Sequence, residues 1–208
     1  MEEEVDLGTN GTPKRPTARR DSGFSMLEMV LSLIVVMILA AIALPDFNRA
    51  YRVYQLNSSA TRLAGLLKLT RFEGIRRNSV VSFQVQQTGT DWLAWSDPDN
   101  DGIADITETQ DPILAPITLL PAGAPPSPDA ITAALGGAAL NTISGANATI
   151  TFDQRGAVAA AGPGLTIYVL YLGNAAYPDY GYRAVLLLPS GSTQVWSAPV
   201  GGPWNRIG

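Results

Sequence analysis

The chain has 208 residues, with 14 basic and 18 acidic side chains, and it contains neither cysteine nor histidine. This length allows one domain with a buried core, and the two absences exclude disulfides, thiolate nucleophiles, zinc-thiolate sites and histidine acid–base catalysis. The net charge of −4 excludes bulk electrostatic attraction to nucleic acid.

The chain begins with a polar leader, residues 1–23, and continues with an apolar run, residues 24–44. Glu28 is the only charged residue of that run. As a helix the run would be about 31 Å long, which is the thickness of a bilayer core. Four bases precede the run, namely Lys14, Arg15, Arg19 and Arg20. Because no base follows until Arg49, we predict one membrane crossing with a cytoplasmic N-terminus.

An ordinary cleaved signal peptide is the alternative explanation of the apolar run. Residues 41–43 fit a small-x-small cleavage site, and residues 30–39 could form the apolar region before it. The product would be a secreted β domain. Against this alternative, a leader of 23 residues is long, and the helical pattern continues past Ala43 with only Pro45 interrupting it.

Glu28 needs an explanation of its own. A charged side chain at the centre of a bilayer costs about 2.5–3.5 kcal/mol, so a carboxylate within a span indicates a function and a cationic partner. The alternative is a Glu in the first helical turn, which gains about 0.3–1 kcal/mol from the helix dipole at the interface.

The sequence around Gly23, Phe24 and Glu28 is GFSMLE, and Pro45 follows at the twenty-second position after Gly23. This pattern closely resembles the cleavage region of type IV prepilins and type II secretion pseudopilins. The resemblance implies that a prepilin peptidase cuts between Gly23 and Phe24 and methylates the new amine of Phe24. It also implies that Glu28 meets the amine of a neighbouring subunit during assembly. The implied location is the bacterial inner membrane, with a periplasmic C-terminal domain and a filament after assembly.

Residues 45–78 are predicted to continue the spine as an amphipathic helix. Pro45 lacks a backbone N–H and should kink or interrupt the helix, or simply end it. Beyond it, the apolar side chains recur at helical steps of three and four residues, at Leu56, Ala60, Leu63, Leu67 and Thr70. The arginines of this helix are predicted to point outward, at positions Arg62, Arg71, Arg76 and Arg77.

Residues 79–208 are predicted to form a β domain, because β-branched and aromatic runs alternate there with Gly, Pro, Asn and Asp. The predicted strands are 79–86, 91–95, 113–120, 148–152, 165–172, 182–188 and 193–197. The expected fold class is α+β, with an antiparallel sheet packed on the long helix and on a second sheet. Residues 121–147 are predicted to be an extended variable loop with one helical turn at 129–135, either a mobile insertion or a partner-binding surface.

Three stretches of this domain, 70–85, 150–157 and 182–196, resemble the pseudopilin H (GspH) and FimT family, although Gly74 stands where that family usually has Ala. The resemblance implies a minor pilin or pseudopilin of a type II secretion system or a type IV pilus, supporting protein secretion or pilus biogenesis. The implied partners are other pilins through the N-terminal helix, the prepilin peptidase, the membrane and a secreted substrate. The chain has no nucleophile-elbow, phosphate-loop or metalloprotease motif, so no enzyme is predicted.

A DNA-uptake receptor is the second functional hypothesis, since some FimT-like minor pilins are reported to bind DNA through a basic C-terminal patch. Here the C-terminal tail offers only Arg206, beside Trp204. Because affinity for DNA depends on the number of phosphates neutralised, this single base disfavours DNA as a partner.

The acidic loop, residues 97–108, matches a twelve-residue calcium-binding pattern. Its predicted ligands, at places one, three, five, seven, nine and twelve, are Asp97, Asp99, Asp101, the backbone carbonyl of Ile103, Asp105 and Glu108. Gly102 stands at place six, where the chain must turn sharply. The flanking residues are predicted strands rather than the helices of an EF-hand, so the alternative is a solvated hairpin turn without a metal.

Overall fold

The computed structural model describes residues 24–159, 166–174 and 176–208, so the leader and Gly23 lie outside the described residues. The chain divides into two compact units, residues up to Leu44 and Pro45–Gly208. As predicted, the fold is α+β, with a long N-terminal apolar helix followed by a two-sheet β domain.

Helix α1 covers Met26–Arg77. Every described residue of the first unit is exposed, whereas α1 has a buried stripe within the second unit that runs from Leu56 to Gly74. Pro45 lies inside α1. The alternative that the helix simply ends at Pro45 is therefore wrong. Proline removes one backbone hydrogen bond inside a helix, and its ring crowds the preceding turn, which bends a helix more often than it ends it when the sequence on both sides is helical.

The end of α1 is a Schellman motif. Asn78 adopts a left-handed backbone conformation with φ of 50°. Its N–H donates to the carbonyl of Ile75, and the N–H of Ser79 donates to the carbonyl of Gly74, at 3.2 Å each. These two bonds satisfy carbonyls that the helix itself leaves without donors, so α1 ends beside the predicted position Asn78.

Among the residues that the structure describes, α1 is followed by ten strands and a second helix, in this order: β1 (Val81–Thr88), β2 (Asp91–Asp97), β3 (Gln110–Ile113), β4 (Ile117–Leu120), α2 (Asp129–Ala134), β5 (Leu140–Thr142), β6 (Asn147–Phe152), β7 (Ile167–Asn174), β8 (Tyr182–Leu187), β9 (Thr193–Ala198) and β10 (Asn205–Arg206). A 3-10 turn covers Pro178–Tyr180. One sheet has the order β3-β2-β1-β6, and the other has the order β10-β9-β8-β7-β4. All of these pairings are antiparallel, and β5 adds a parallel pairing to β7.

The predicted single strand 113–120 is wrong. The structure divides it into β3 and β4, which belong to different sheets. Pro116, which has no N–H to donate to a ladder, lies in the break between them. The two sheets are linked here by Trp92 of β2, whose indole N–H donates to Thr118 Oγ1 of β4 at 2.9 Å.

Two clusters of buried side chains lie on opposite faces of the six-stranded sheet. The first joins the α1 stripe to both sheets and includes Leu170 and Leu172 of β7. The second includes Val169 and Tyr171 of the same strand. All eight residues of β7 are buried, because alternate side chains enter different clusters.

The second cluster is covered by residues 121–147, here called the proline-rich segment. These residues were expected to be an extended loop, and the structure corrects that expectation. Besides α2, which lies at the predicted helical turn, the segment contains β5 paired with β7. Ile131 of α2 is 0% exposed within the second cluster. Burial of apolar side chains therefore holds a segment whose composition is typical of a surface loop.

Candidate functional sites

The N-terminal helix presents Glu28 on an otherwise apolar surface. The N–H of Leu27 donates to Ser25 Oγ at 3.3 Å, so Ser25 caps the first turn. Glu28 is exposed, and Ser32 Oγ donates to its backbone carbonyl at 2.7 Å, which leaves the carboxylate free of that contact. Among the described residues, the ion pairs involve Glu73 and Asp111 and not Glu28. Phe24, the predicted new N-terminus, is also exposed.

The acidic loop brings five of its predicted ligand side chains into two overlapping groups. One carboxylate oxygen from each of Asp97, Asp99 and Glu108 lies within 4.8 Å of the others. Asp99, Asp101 and Asp105 form a second group with the same spacing. Asp99 belongs to both groups and therefore connects Asp97 and Glu108 to Asp101 and Asp105.

Asp97 is the buried member of the loop, with 0% of its surface exposed. Its Oδ2 accepts hydrogen bonds from Gln84 Nε2 at 3.1 Å and from the Gly102 N–H at 3.0 Å. Its Oδ1 is also buried and has no hydrogen-bond partner among the described residues. Gln84 is held in turn by Thr149, whose hydroxyl donates to Gln84 Oε1 at 2.5 Å. Polar residues of β1 and β6 therefore fix the Asp97 carboxylate.

A left-handed turn holds the middle of the acidic loop. Gly102 has φ of 75° and Asn100 has φ of 60°, a conformation that glycine and asparagine adopt more readily than other residues. Asn100 Nδ2 donates to the carbonyl of Val80 at 2.9 Å, and Ser82 Oγ donates to Asn100 Oδ1 at 2.6 Å. Asn100, which the calcium pattern does not assign, thus attaches the loop to β1.

Glu108 closes the acidic loop at its far end. The Asp105 N–H donates to Glu108 Oε2 at 2.9 Å, while Oε1 is buried without a hydrogen-bond partner among the described residues. Burial raises the pKa of the Glu108 carboxyl, and the negative charges of Asp97, Asp99 and Asp105 raise it further, against the lowering effect of the Asp105 N–H. Ile103 is different, because its side chain is exposed and its N–H donates to Asp101 Oδ1 at 2.8 Å.

Arg71 does not point outward as predicted. It is half-buried, and its Nε has no hydrogen-bond partner among the described residues. A Cβ placed on Gly156 would lie 2.9 Å from Arg71 Cγ, and one placed on Gly191 would lie 2.9 Å from Arg71 Cδ. The side chain therefore lies against two glycine turns, one after β6 and one in the β8–β9 hairpin. The sequence signal for the position of Arg71 is the apolar spacing of α1, and this spacing places Arg71 outside the buried stripe.

Two further arginines connect α1 to the β domain. Arg183 of β8 is buried, and its Nε donates to Asn57 Oδ1 of α1 at 2.5 Å. Burial lowers the pKa of Arg183. Arg62 of α1 pairs with Asp111 of β3 at 3.1 Å. The sequence signal for the first contact is an arginine within the otherwise apolar run of β8.

Of the two C-terminal residues that a DNA receptor would use, Trp204 is buried and Arg206 is exposed. Trp204 is 2% exposed, its indole N–H donates to the Pro126 carbonyl at 3.2 Å, and its ring lies 5.6 Å from that of Tyr171. Trp204 thus belongs to the second cluster and offers no exposed surface for stacking on a base. Arg206 is exposed, and its Nε donates to the carbonyl of Gly208 at 3.3 Å.

Taken with its sequence matches, this architecture defines a membrane-anchored, pilin-like subunit. Residues 18–44 match the prokaryotic N-terminal methylation motif. Residues 59–194 match the family of the type II transport protein GspH, which is more than half of the chain. The chain therefore belongs to the GspH family, and it has the role of a minor pilin or pseudopilin in secretion or pilus assembly.

Two solved structures are similar to the chain, both of the type IV minor pilin FimU from Pseudomonas aeruginosa strain PAO1, in space groups P21 and P65. Each is 13% identical and has a TM-score of 0.33. The similarity covers 74% of this chain in both cases, and 90% and 93% of the two FimU chains. No curated protein sequence matches the chain significantly.

Proposed function

We propose that this subunit spans the bacterial inner membrane once, with its N-terminus in the cytoplasm, and enters a short filament or its tip through helix α1, which begins two residues after Phe24. The observation that carries the proposal is Glu28, the only charged residue in the exposed apolar residues 24–44. In this proposal, a prepilin peptidase cuts between Gly23 and Phe24 and methylates the amine of Phe24. The β domain then lies in the periplasm and has a structural role, without catalysis.

The physical basis is the cost of a carboxylate without a partner in an apolar environment. Residues 24–44 contain no base to neutralise Glu28, so the cation must come from outside the side chains of this segment. Cleavage after Gly23 creates an α-amine whose ordinary pKa is about 7.7–8.0, so it is largely protonated at neutral pH. The amine of a neighbouring subunit would pair with Glu28 and set the register between adjacent helices.

A second part of α1 supports contact with other subunits. Six large side chains of α1 in the second unit are exposed, at Phe47, Tyr51, Tyr54, Leu69, Phe72 and Ile75. Phe47, Tyr51 and Tyr54 follow one another at steps of four and three residues, which places these three on one side of the helix. Leu69, Phe72 and Ile75 follow at steps of three, which places them on one side as well. Exposed apolar groups of this kind indicate contacts with other proteins. Other pilins or pseudopilins are the partners that we propose for them.

The first test concerns processing of the N-terminus. The protein is purified from membranes of its host, and its mature start is read by N-terminal sequencing and intact mass. The proposal expects a start at methylated Phe24. A start at Leu44 would instead identify a cleaved signal peptide and a secreted β domain, and would overturn the proposed membrane anchor.

The second test concerns assembly and uses Glu28→Gln, which removes the charge and keeps the size of the side chain. We expect normal cleavage and membrane insertion, with a loss of cross-linking to other pilins of at least ten-fold. Ser32→Ala is the matched control, because Ser32 lies one turn further along the same side of the helix and carries no charge. Unchanged assembly of the Glu28→Gln variant would contradict the pairing and favour the helix-dipole explanation.

A further inference from the structure

We infer that the acidic loop, residues 97–108, is a calcium-binding site that joins the end of β2 to the start of β3. The inference is independent of the proposed function, because it depends on the β domain alone. Beyond the twelve-residue spacing of the sequence, the structure shows carboxylates that belong to no ion pair among the described residues and the burial of two of their oxygens.

The charge balance of the loop favours a cation. Residues 97–108 contain five carboxylates and no lysine or arginine. Within the part of the chain that the structure describes, no loop carboxylate belongs to an ion pair, because the acids that form ion pairs are Glu73 and Asp111. Carboxylates this close repel one another, most of all where one of them is buried, and a cation between them would relieve that repulsion.

Two buried carboxylate oxygens of the loop lack a partner. Asp97 Oδ1 and Glu108 Oε1 are both buried, and neither has a hydrogen-bond partner among the described residues. A charged oxygen removed from water without a partner is costly, so such atoms usually pair or coordinate a metal. The Gln84 amide and the Gly102 N–H bind the other Asp97 oxygen. These contacts orient the carboxylate as a second coordination shell does.

The spacing and composition of the group fit calcium. Calcium binds six to eight oxygens at about 2.3–2.6 Å, so two ligands on opposite sides of the ion are at most about 5 Å apart. One oxygen each of Asp97, Asp99 and Glu108 already lies within 4.8 Å of the others. Asp101 and Asp105 are exposed and group with Asp99, so they extend the cluster toward solvent. Magnesium demands an octahedral shell of shorter bonds, which two overlapping groups of three carboxylates suit less well.

The test measures the thermal unfolding of the mature chain in detergent, with 5 mM calcium chloride, with 5 mM magnesium chloride and with a chelator. Calcium is expected to raise Tm by about 5 °C or more over the chelator, which corresponds to an ion concentration well above Kd. Magnesium is expected to raise Tm by less. Calorimetric titration with calcium chloride gives the affinity directly.

Three variants locate the ion. Asp99→Asn and Glu108→Gln each remove one ligand charge and are expected to weaken calcium binding at least ten-fold. Asp99 is exposed, so its variant keeps the test valid even if a variant at a more buried position does not fold. Asp179→Asn is the matched control, because Asp179 is an exposed acid outside the loop, and it should keep the full calcium shift.

Several outcomes would overturn the inference. An unchanged Tm at 5 mM calcium, together with no heat of binding, would show that the loop is a solvated turn. An equal shift in the Asp99→Asn, Glu108→Gln and parent chains would place the ion elsewhere. An equal shift with magnesium would exclude a calcium-selective site.

Discussion

The acidic loop and the proline-rich segment are both rich in turn-forming residues, yet different forces hold them in place. The proline-rich segment buries Ile131 and Ile143 in the two clusters of the domain. Within the acidic loop only Asp97 is buried, and its contacts are hydrogen bonds. Composition alone therefore does not reveal whether a connecting segment is stabilised by apolar burial or by polar contacts.

The largest expected effect tests whether apolar burial holds the proline-rich segment in place. Ile131→Ala removes a fully buried side chain and should lower the free energy of unfolding by about 2–5 kcal/mol, from lost burial and the cavity that remains. Thermal and denaturant unfolding of the chain in detergent would measure it. Ala133→Ser is the control, since Ala133 is exposed in the same helix. A loss below about 1 kcal/mol for Ile131→Ala would mean that the segment is not part of the folded core.

The second-largest expected effect tests whether the hydrogen bonds of Asp97 hold the acidic loop in place. Unfolding is measured with a chelator present so that no metal contributes. Asp97→Ala leaves the Gln84 amide and the Gly102 N–H without their acceptor, which should cost about 1–3 kcal/mol of stability. Asp99→Ala, at an exposed position, should change stability by less than about 0.5 kcal/mol. Stabilisation by Asp97→Ala would show that relief of charge repulsion outweighs the lost hydrogen bonds.

A smaller effect separates backbone conformation from hydrogen bonding at Asn100. Asn100→Ala loses the contacts with Val80 and Ser82 and places alanine at a φ of 60°, so it should cost about 1–2 kcal/mol. Asn100→Gly loses the same contacts and tolerates the left-handed conformation, so its cost should be lower. Equal unfolding midpoints for the two variants would indicate that the backbone conformation contributes little.

The smallest effect provides a baseline, because Glu73 is an ordinary ion-paired carboxylate outside both segments. Its hydrogen bonds with Arg76 and then Arg77 lower its pKa below the model-compound value of 4.5. Its contribution, about 0.5 kcal/mol for a surface pair, is therefore present at neutral pH and lost as the pH falls below that value. The difference in stability between Glu73→Gln and the parent should be full at pH 7 and should shrink as the pH falls below 4.5 and through the lowered pKa of Glu73. A difference that does not change with pH in acid would rule out the ion pair as its cause.

Local patterns predicted much of the fold. The run 182–188 corresponds to β8 at Tyr182–Leu187, and the apolar spacing on α1 identified Leu56, Ala60, Leu63 and Leu67, which are buried. The twelve-residue spacing also named side chains that the structure groups together. These features depend on residues close in sequence, whose periodicity carries the information.

Features that depend on distant partners were not predictable in the same way. β5 has three residues and exists because it pairs with β7, which lies 25 or more residues further along the chain. The separation of β3 from β4 depends on which sheet each one joins. Likewise, the buried Asp97 oxygen without a partner appears only when β1 and β2 lie side by side. A single stretch of sequence contains none of these pairings.

The position of Arg71 against Gly156 and Gly191 has a consequence for how this chain can vary. A Cβ on Gly191 would collide with the carbonyl oxygen of Gly156, and a Cβ on Gly156 would lie 2.7 Å from Ile75 Cδ1, so a shorter side chain at position 71 would not make room at either turn. Both glycines also have a positive φ, 75° at Gly156 and 77° at Gly191, which disfavours any larger residue. The two turn positions are therefore expected to accept only glycine, whatever side chain stands at position 71.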